Sequence, residues 1–194
     1  MKPAYSPVPT IVTSTLLACM LGFSWFSAAA PVPPDAGVPI DLRRTTLVVR
    51  DMENSLALYR DALGMRLTYD HVIRTPRSAL SDEAAERALR LIFLQANDDF
   101  VGVLGLLHYR KPAKQQPRSE LAFEPGTSVL VFNVKDLDQR WNDVLAVPGV
   151  EVLSEPSETR YPSYDGEGVI RVRVSVIRDP DGFIIELNQL LDPL

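Results

Sequence analysis

The stretch TTLVVRDMENSLALYRDALGMRL, Thr45 to Leu67, decides the fold, because SVLVFNVKDLDQRWNDVLAVPGVEVL, beginning at Ser128, lies over it at a constant offset of 85 residues. Val49 then meets Val134, Asp51 meets Asp136, Leu56 meets Trp141, Gly64 meets Gly149 and Met65 meets Val150. The match is one of pattern more than identity, and such self-similarity marks a unit written twice. In each copy a run of β-formers ends at an Asp whose side chain can cap a helix. Apolar residues at helical spacing follow, Leu56, Tyr59 and Leu63 in the first copy and Leu137, Trp141, Val144 and Leu145 in the second. A glycine then stops the helix and the chain returns as a strand. The rest of each half reads as strands: Met65 to Ile73, Leu89 to Gln95 and Val101 to Tyr109, then Val150 to Leu153, Val169 to Ile177 and Phe183 to Leu190. The expected domain is α+β, a βαβββ module repeated, with Leu56, Tyr59, Trp141 and Leu145 on the buried helix faces.

The amino end is built differently. Lys2 is the one charge before Ile11 to Phe26, an uncharged apolar run that is followed by Ser27, Ala28, Ala29 and Ala30. This is the layout of a secretory signal. The apolar run, 16 residues, falls short of the ~20 that span a bilayer. Pro31 disfavours cleavage after Ala30, so the expected signal peptide is residues 1–29, leaving an extended leader over 30–41 and the domain over 42–191. Retention as an uncleaved anchor, or lipidation of Cys19 in Leu16-Leu17-Ala18-Cys19, are the alternatives. Cys19 is the sole cysteine, so the mature chain, exported to the periplasm or secreted, has no disulfide framework. Losing Lys2 takes the formal charge from −5 to −6, and an acidic chain without a basic run argues against nucleic acid as a partner.

With VVRDMENSLALYRDALGM near the start and DPDGFIIEL near the end, the chain resembles the vicinal oxygen chelate superfamily, the glyoxalase, bleomycin-resistance and ring-cleaving dioxygenase group, over about Leu42 to Leu191. The resemblance implies two half-barrels paired around a central cleft, in which most members hold a divalent metal on His, Glu or Gln side chains. It also implies pairing of two copies as a homodimer. The equivalent ligand positions here are Arg44, Gly105, Val129 and Glu186, so one of four carries a ligand. His108 has the wrong strand parity to share a face with Gly105, and His71 matches no ligand position. No cofactor is therefore expected.

Glu186, set behind the apolar run Phe183-Ile184-Ile185, is expected to face the cleft and to pair with Arg44, because a lone carboxylate is costly to bury. The expected ligand-binding set is Arg44, Thr46 and Val48 on the first strand, Val131 and Asn133 on its counterpart, Tyr161 and Tyr164 on a lid loop from Thr159 to Gly168, and Glu186. Arg110 to Pro125 reads as a linker. The leading function is a metal-independent binder of a small organic molecule. The alternative is a metal-dependent lyase, epimerase or dioxygenase with a relocated site and Glu186 as its catalytic base. A third reading is a structural dimer without a ligand. Mass spectrometry of the exported protein is expected to find a mature amino terminus near Ala30; an intact Met1 terminus in the soluble cytosol would contradict the signal.

Overall fold

The computed structural model describes residues 37, 40–114, 116–163 and 166–192. The expected signal, Cys19 and Tyr164 lie outside these residues. The elements run β1 (Arg44–Val49), α1 (Met52–Leu56) continuing as a π-helical segment (Ala57–Ala62), β2 (Arg66–Thr75), β3 (Arg87–Gln95), β4 (Val103–Lys111), β5 (Val129–Asn133), α2 (Leu137–Ala146), β6 (Glu151–Pro162), β7 (Val169–Arg178) and β8 (Ile184–Leu190). Two four-stranded sheets result, ordered β1-β4-β3-β2 and β5-β8-β7-β6. In each, the first strand runs parallel to the fourth, Thr46 pairing with Gly105 and Val131 with Glu186. Those two registers put Glu186 and Gly105 at equivalent positions, as the repeat requires. Gly64 and Gly149, also equivalent, both turn the chain at positive φ, 80° and 84°, where residues with a Cβ are strained.

Strand alternation divides each sheet into a core face and an open face. On β1, Leu47 and Val49 are buried while Arg44, Thr46 and Val48 are exposed. A single apolar cluster joins the modules, with Leu47, Leu56, Tyr59, Ile92, Leu94 and Leu106 from the first and Val134, Leu137, Val144, Ile177, Ile185 and Leu187 from the second. Among the described residues no helix is long and apolar enough to cross a membrane.

Four expectations change. Asp51 caps α1 through the amides of Glu53 and Asn54, but Asp136 sits in the left-handed region at φ 55° and its side chain caps nothing. The free amide of Leu137 instead donates to Gln189 Oε1 at 2.8 Å, 52 residues away. Leu145 is 46% exposed, because α2 buries Leu137 and Val144 and the next residue is rotated off that face. Trp141 packs only partly against the core, its indole N–H reaching Glu155 Oε2 at 3.0 Å. The lid expected from Thr159 is strand as far as Pro162, paired to Val169–Val172.

The turn Asp179-Pro180-Asp181-Gly182 fastens one module to the other. Asp179 is buried, accepting from the amides of Asp181 and Phe183 at 2.9 and 2.8 Å and from the Tyr59 hydroxyl at 2.8 Å. Asp181 accepts from the Arg50 amide and Nε, both at 2.9 Å. The linker after β4 closes over this turn, with Ser119 donating its amide to the Asp181 carbonyl at 3.1 Å. Gly182 is mandatory there: its φ is 95°, and a Cβ would overlap the Ser119 carbonyl. Tyr59→Phe leaves Asp179 Oδ2 buried without a donor and is expected to lower the unfolding free energy by about 1–3 kcal/mol in denaturant titration. Burial pushes the Asp179 carboxyl up from its ordinary 3.8, against the pull of its three donors. A raised folded value gives stability that is complete below the unfolded value and is lost as pH rises through the folded one. The penalty of Asp179→Asn is therefore expected to shrink from acid to neutral pH; a penalty that grows would contradict this.

Candidate functional site

The open face of the second sheet forms a pocket of about 520 Å³, lined by Val131 and Asn133 of β5, Tyr161 and Pro162 of β6, Ile170 and Val172 of β7, and Asn188 and Leu190 of β8. An apolar lining with a few polar groups is the general make-up of small-molecule sites, and the volume lies within their usual range of roughly 300–1,000 Å³. Three of the residues expected for binding, Val131, Asn133 and Tyr161, come together here. Val131, though apolar, is 59% exposed on β5, the edge strand of its sheet.

Asn188 was not anticipated, and it supplies the pocket's polar contrast. Its Nδ2 donates to Glu186 Oε1 at 2.7 Å, while its Oδ1 is buried and has no hydrogen-bond partner. An orphaned acceptor is costly, and a donor brought by a ligand would satisfy it. The signal was legible: Asn188 stands two residues beyond Glu186 and so shares its face. Tyr161 lies not in a lid loop but in β6, paired with Ile170.

Arg44, Thr46 and Val48 lie elsewhere. They are on the open face of the first sheet, and the expected Arg44–Glu186 ion pair is not formed. The Arg44 guanidinium carbon lies 4.4 Å from the Phe93 ring centroid, and Glu186 is engaged by Asn188. Arg44 and Val131 meet only as walls of a smaller crevice between β1 and β5, of about 270 Å³. Val48 instead borders a hollow under the linker, with Arg50, Tyr109, Lys114 and Ser119. The physical reason is reach: the site positions belong to two sheets, and an arginine on β1 finds an aromatic face on its own sheet before it finds β8.

Of the four positions that the resemblance equates with metal ligands, only Glu186 carries a side-chain oxygen or nitrogen of the His, Glu or Gln type. Arg44 brings positive charge, Val129 brings no donor, and Gly105 is covered by the side chains of Thr46 and Arg44. Glu186 is one oxygen ligand where at least three protein ligands are needed. Among the described residues no group of three or more His, Cys, Asp or Glu could hold a metal ion. His108, in register with Val49, lies on the core face of β4, and His71 contacts the ring of Tyr69.

The family model of the Glyoxalase/Bleomycin resistance protein/Dioxygenase superfamily matches residues 41–187. Among solved structures, a glyoxalase family protein from Bacillus cereus superposes with a TM-score of 0.60 at 16% identity, covering 79% of this chain and 95% of that one. A trypanothione-dependent glyoxalase I from Leishmania major gives 0.50 at 18% identity, covering 77% and 86%. A glyoxalase I variant from Zea mays gives 0.53 at 20% identity, covering 76% of this chain and 45% of that one. No curated protein matches the sequence. Since Arg44 and Glu186 have separate partners, a double-mutant cycle with Arg44→Met and Glu186→Gln is expected to give a coupling energy within about 0.5 kcal/mol of zero. A coupling several times larger would restore the ion pair.

Proposed function

The chain belongs to the glyoxalase/bleomycin resistance protein/dioxygenase superfamily, and from that premise we propose that it is an exported protein that binds a small organic molecule on the open face of its second sheet, without a metal. The carrying observation is the apolar pocket of about 520 Å³ with the unpartnered Asn188 Oδ1. The ligand this favours has an apolar body and one hydrogen-bond donor. Asn133 and the Tyr161 hydroxyl offer further polar contacts at the rim. The weak donor set at the four family ligand positions supports the metal-free part of the reading, and the apolar run from Ile11 to Phe26 supports export. Association with a second copy accords with Val48 and Val131, 51% and 59% exposed on the two open faces.

One observation favours a second reading, catalysis by Glu186. Among the described residues no cation forms an ion pair with its carboxylate, whose Oε1 accepts from Asn188 Nδ2 at 2.7 Å.

Ile170→Trp fills the pocket from β7 without entering the shared core. Titration with the neutral dye N-phenyl-1-naphthylamine, an apolar body with one N–H donor, is expected to show saturable binding to the wild-type protein and at least about a tenfold loss in the variant. Treatment with EDTA is expected to leave that binding unchanged. Equal affinity in wild type and variant would overturn the pocket assignment. Stoichiometric zinc, nickel or iron that is lost in Glu186→Gln would move the enzyme reading to first place.

A further inference from the structure

We propose that the open face of the first sheet carries a separate binding site for an organic carboxylate with an apolar body, anchored on the guanidinium of Arg44. The proposal does not rest on the pocket of the second sheet.

The anchor exists because of a gap. Strand order places β4 between β1 and β3, so a side chain on β1 reaches β3 only by crossing β4. At the crossing stands Gly105, paired with Thr46 on one side and Phe93 on the other. A Cβ at that position would lie 3.2 Å from Arg44 Cδ and 2.6 Å from Thr46 Oγ1. With no Cβ there, Arg44 passes over the strand and lays its guanidinium on Phe93, 4.4 Å from the ring centroid. From the β2 side Tyr69 stacks on the same ring, at 4.7 Å between centroids and 22° between planes, and His71 meets Tyr69 edge-on at 4.5 Å. A long, flexible cation thus rests on Phe93, itself backed by Tyr69 and His71, so that part of the ordering entropy a ligand would otherwise have to offset is already lost.

What the guanidinium lacks is an anion. No described carboxylate forms an ion pair with it, and its planar fork of N–H donors matches the two oxygens of a carboxylate. Thr46 and Tyr69 flank the ring, and beyond them the face turns apolar, with Val48 and Ile73, 51% and 39% exposed, alongside Leu91 and Leu107. Arg66 is taken by Gln95 and Asp99, and Lys114 lies over Tyr109, four residues along β4 from Gly105, so a small ligand at Arg44 meets one unpaired cation and is selected as singly charged with a hydrophobic body. A polyanion would need several cations, and a neutral apolar molecule would leave the fork unused.

Isothermal titration of the purified protein with benzoate tests this, with acetate as the probe lacking a body and benzyl alcohol as the probe lacking charge. Saturable benzoate binding is expected, with both controls weaker by at least about tenfold, and with a similar loss in Arg44→Gln. Gly105→Ala removes no polar group, yet it is expected to weaken benzoate comparably by pushing the guanidinium off its path. Should that variant fail to fold, Arg44→Gln decides alone. Ile170→Trp is expected to leave benzoate affinity unchanged, which separates this site from the other sheet's pocket. Benzoate binding no tighter than either control, unchanged affinity in Arg44→Gln, or loss of binding in Ile170→Trp would each overturn the proposal.

Discussion

The contact on which the rest depends is the burial of Asp179 against the hydroxyl of Tyr59. A phenol and a carboxyl removed from water are each expensive; the phenol is satisfied by Asp179 Oδ2, and the carboxyl by that bond and by the amides of Asp181 and Phe183 on Oδ1. Because one lies on the first module's helix and the other on the second module's last turn, satisfying them fixes how the two halves pack. Asp181 repeats the device beside it, taking the amide and guanidinium of Arg50. The apolar cluster supplies the bulk of the driving force. Hydrophobic contact is non-directional, however, and these few polar bonds specify the one arrangement in which the open faces of the two sheets stay free.

Much of this was legible in the sequence because duplication is a strong signal. The offset between Thr45–Leu67 and the stretch beginning at Ser128 reveals the βαβββ module, the paired half-barrels follow from the resemblance, and the equivalent registers of Thr46 with Gly105 and Val131 with Glu186 agree with the repeat. What was illegible depends on contacts between residues far apart in the chain. The two helices look alike in sequence, yet Asp51 caps its own helix and Asp136 does not, because a left-handed backbone aims its side chain away and Gln189 takes over. Arg44 is expected on Glu186 because the resemblance places both at ligand positions of one cleft. Its real neighbour, Phe93, is set by the pairing of β3 with β4, and that register carries an irregularity at Ala88 which no local rule reveals.

The two open faces show how one backbone plan takes on different chemistry. At equivalent positions, the first sheet has Gly105 and the second has Glu186. The first leaves room for an arginine to cross the strand; the second contributes an acid held by Asn188. The same register thus yields a cationic, aromatic surface on one side and a largely apolar pocket on the other. The residue at this one position decides what its neighbours can reach.

The amide of Leu137 waits for Gln189, and Tyr59 and Arg50 wait for the turn that begins at Asp179. A ribosome adds those partners 52, 120 and 131 residues later. Neither helix is complete in its polar contacts until β8 has emerged, so the first module, though synthesised early and built on a plan that repeats, is not a finished unit when it leaves the exit tunnel. A chain cut off before Asp179 would lose both the turn and the strand that complete the two halves, and its product would expose the apolar cluster to quality-control proteases. The duplication is therefore visible in shape but not in synthesis: the two halves mature together, once β8 has joined them.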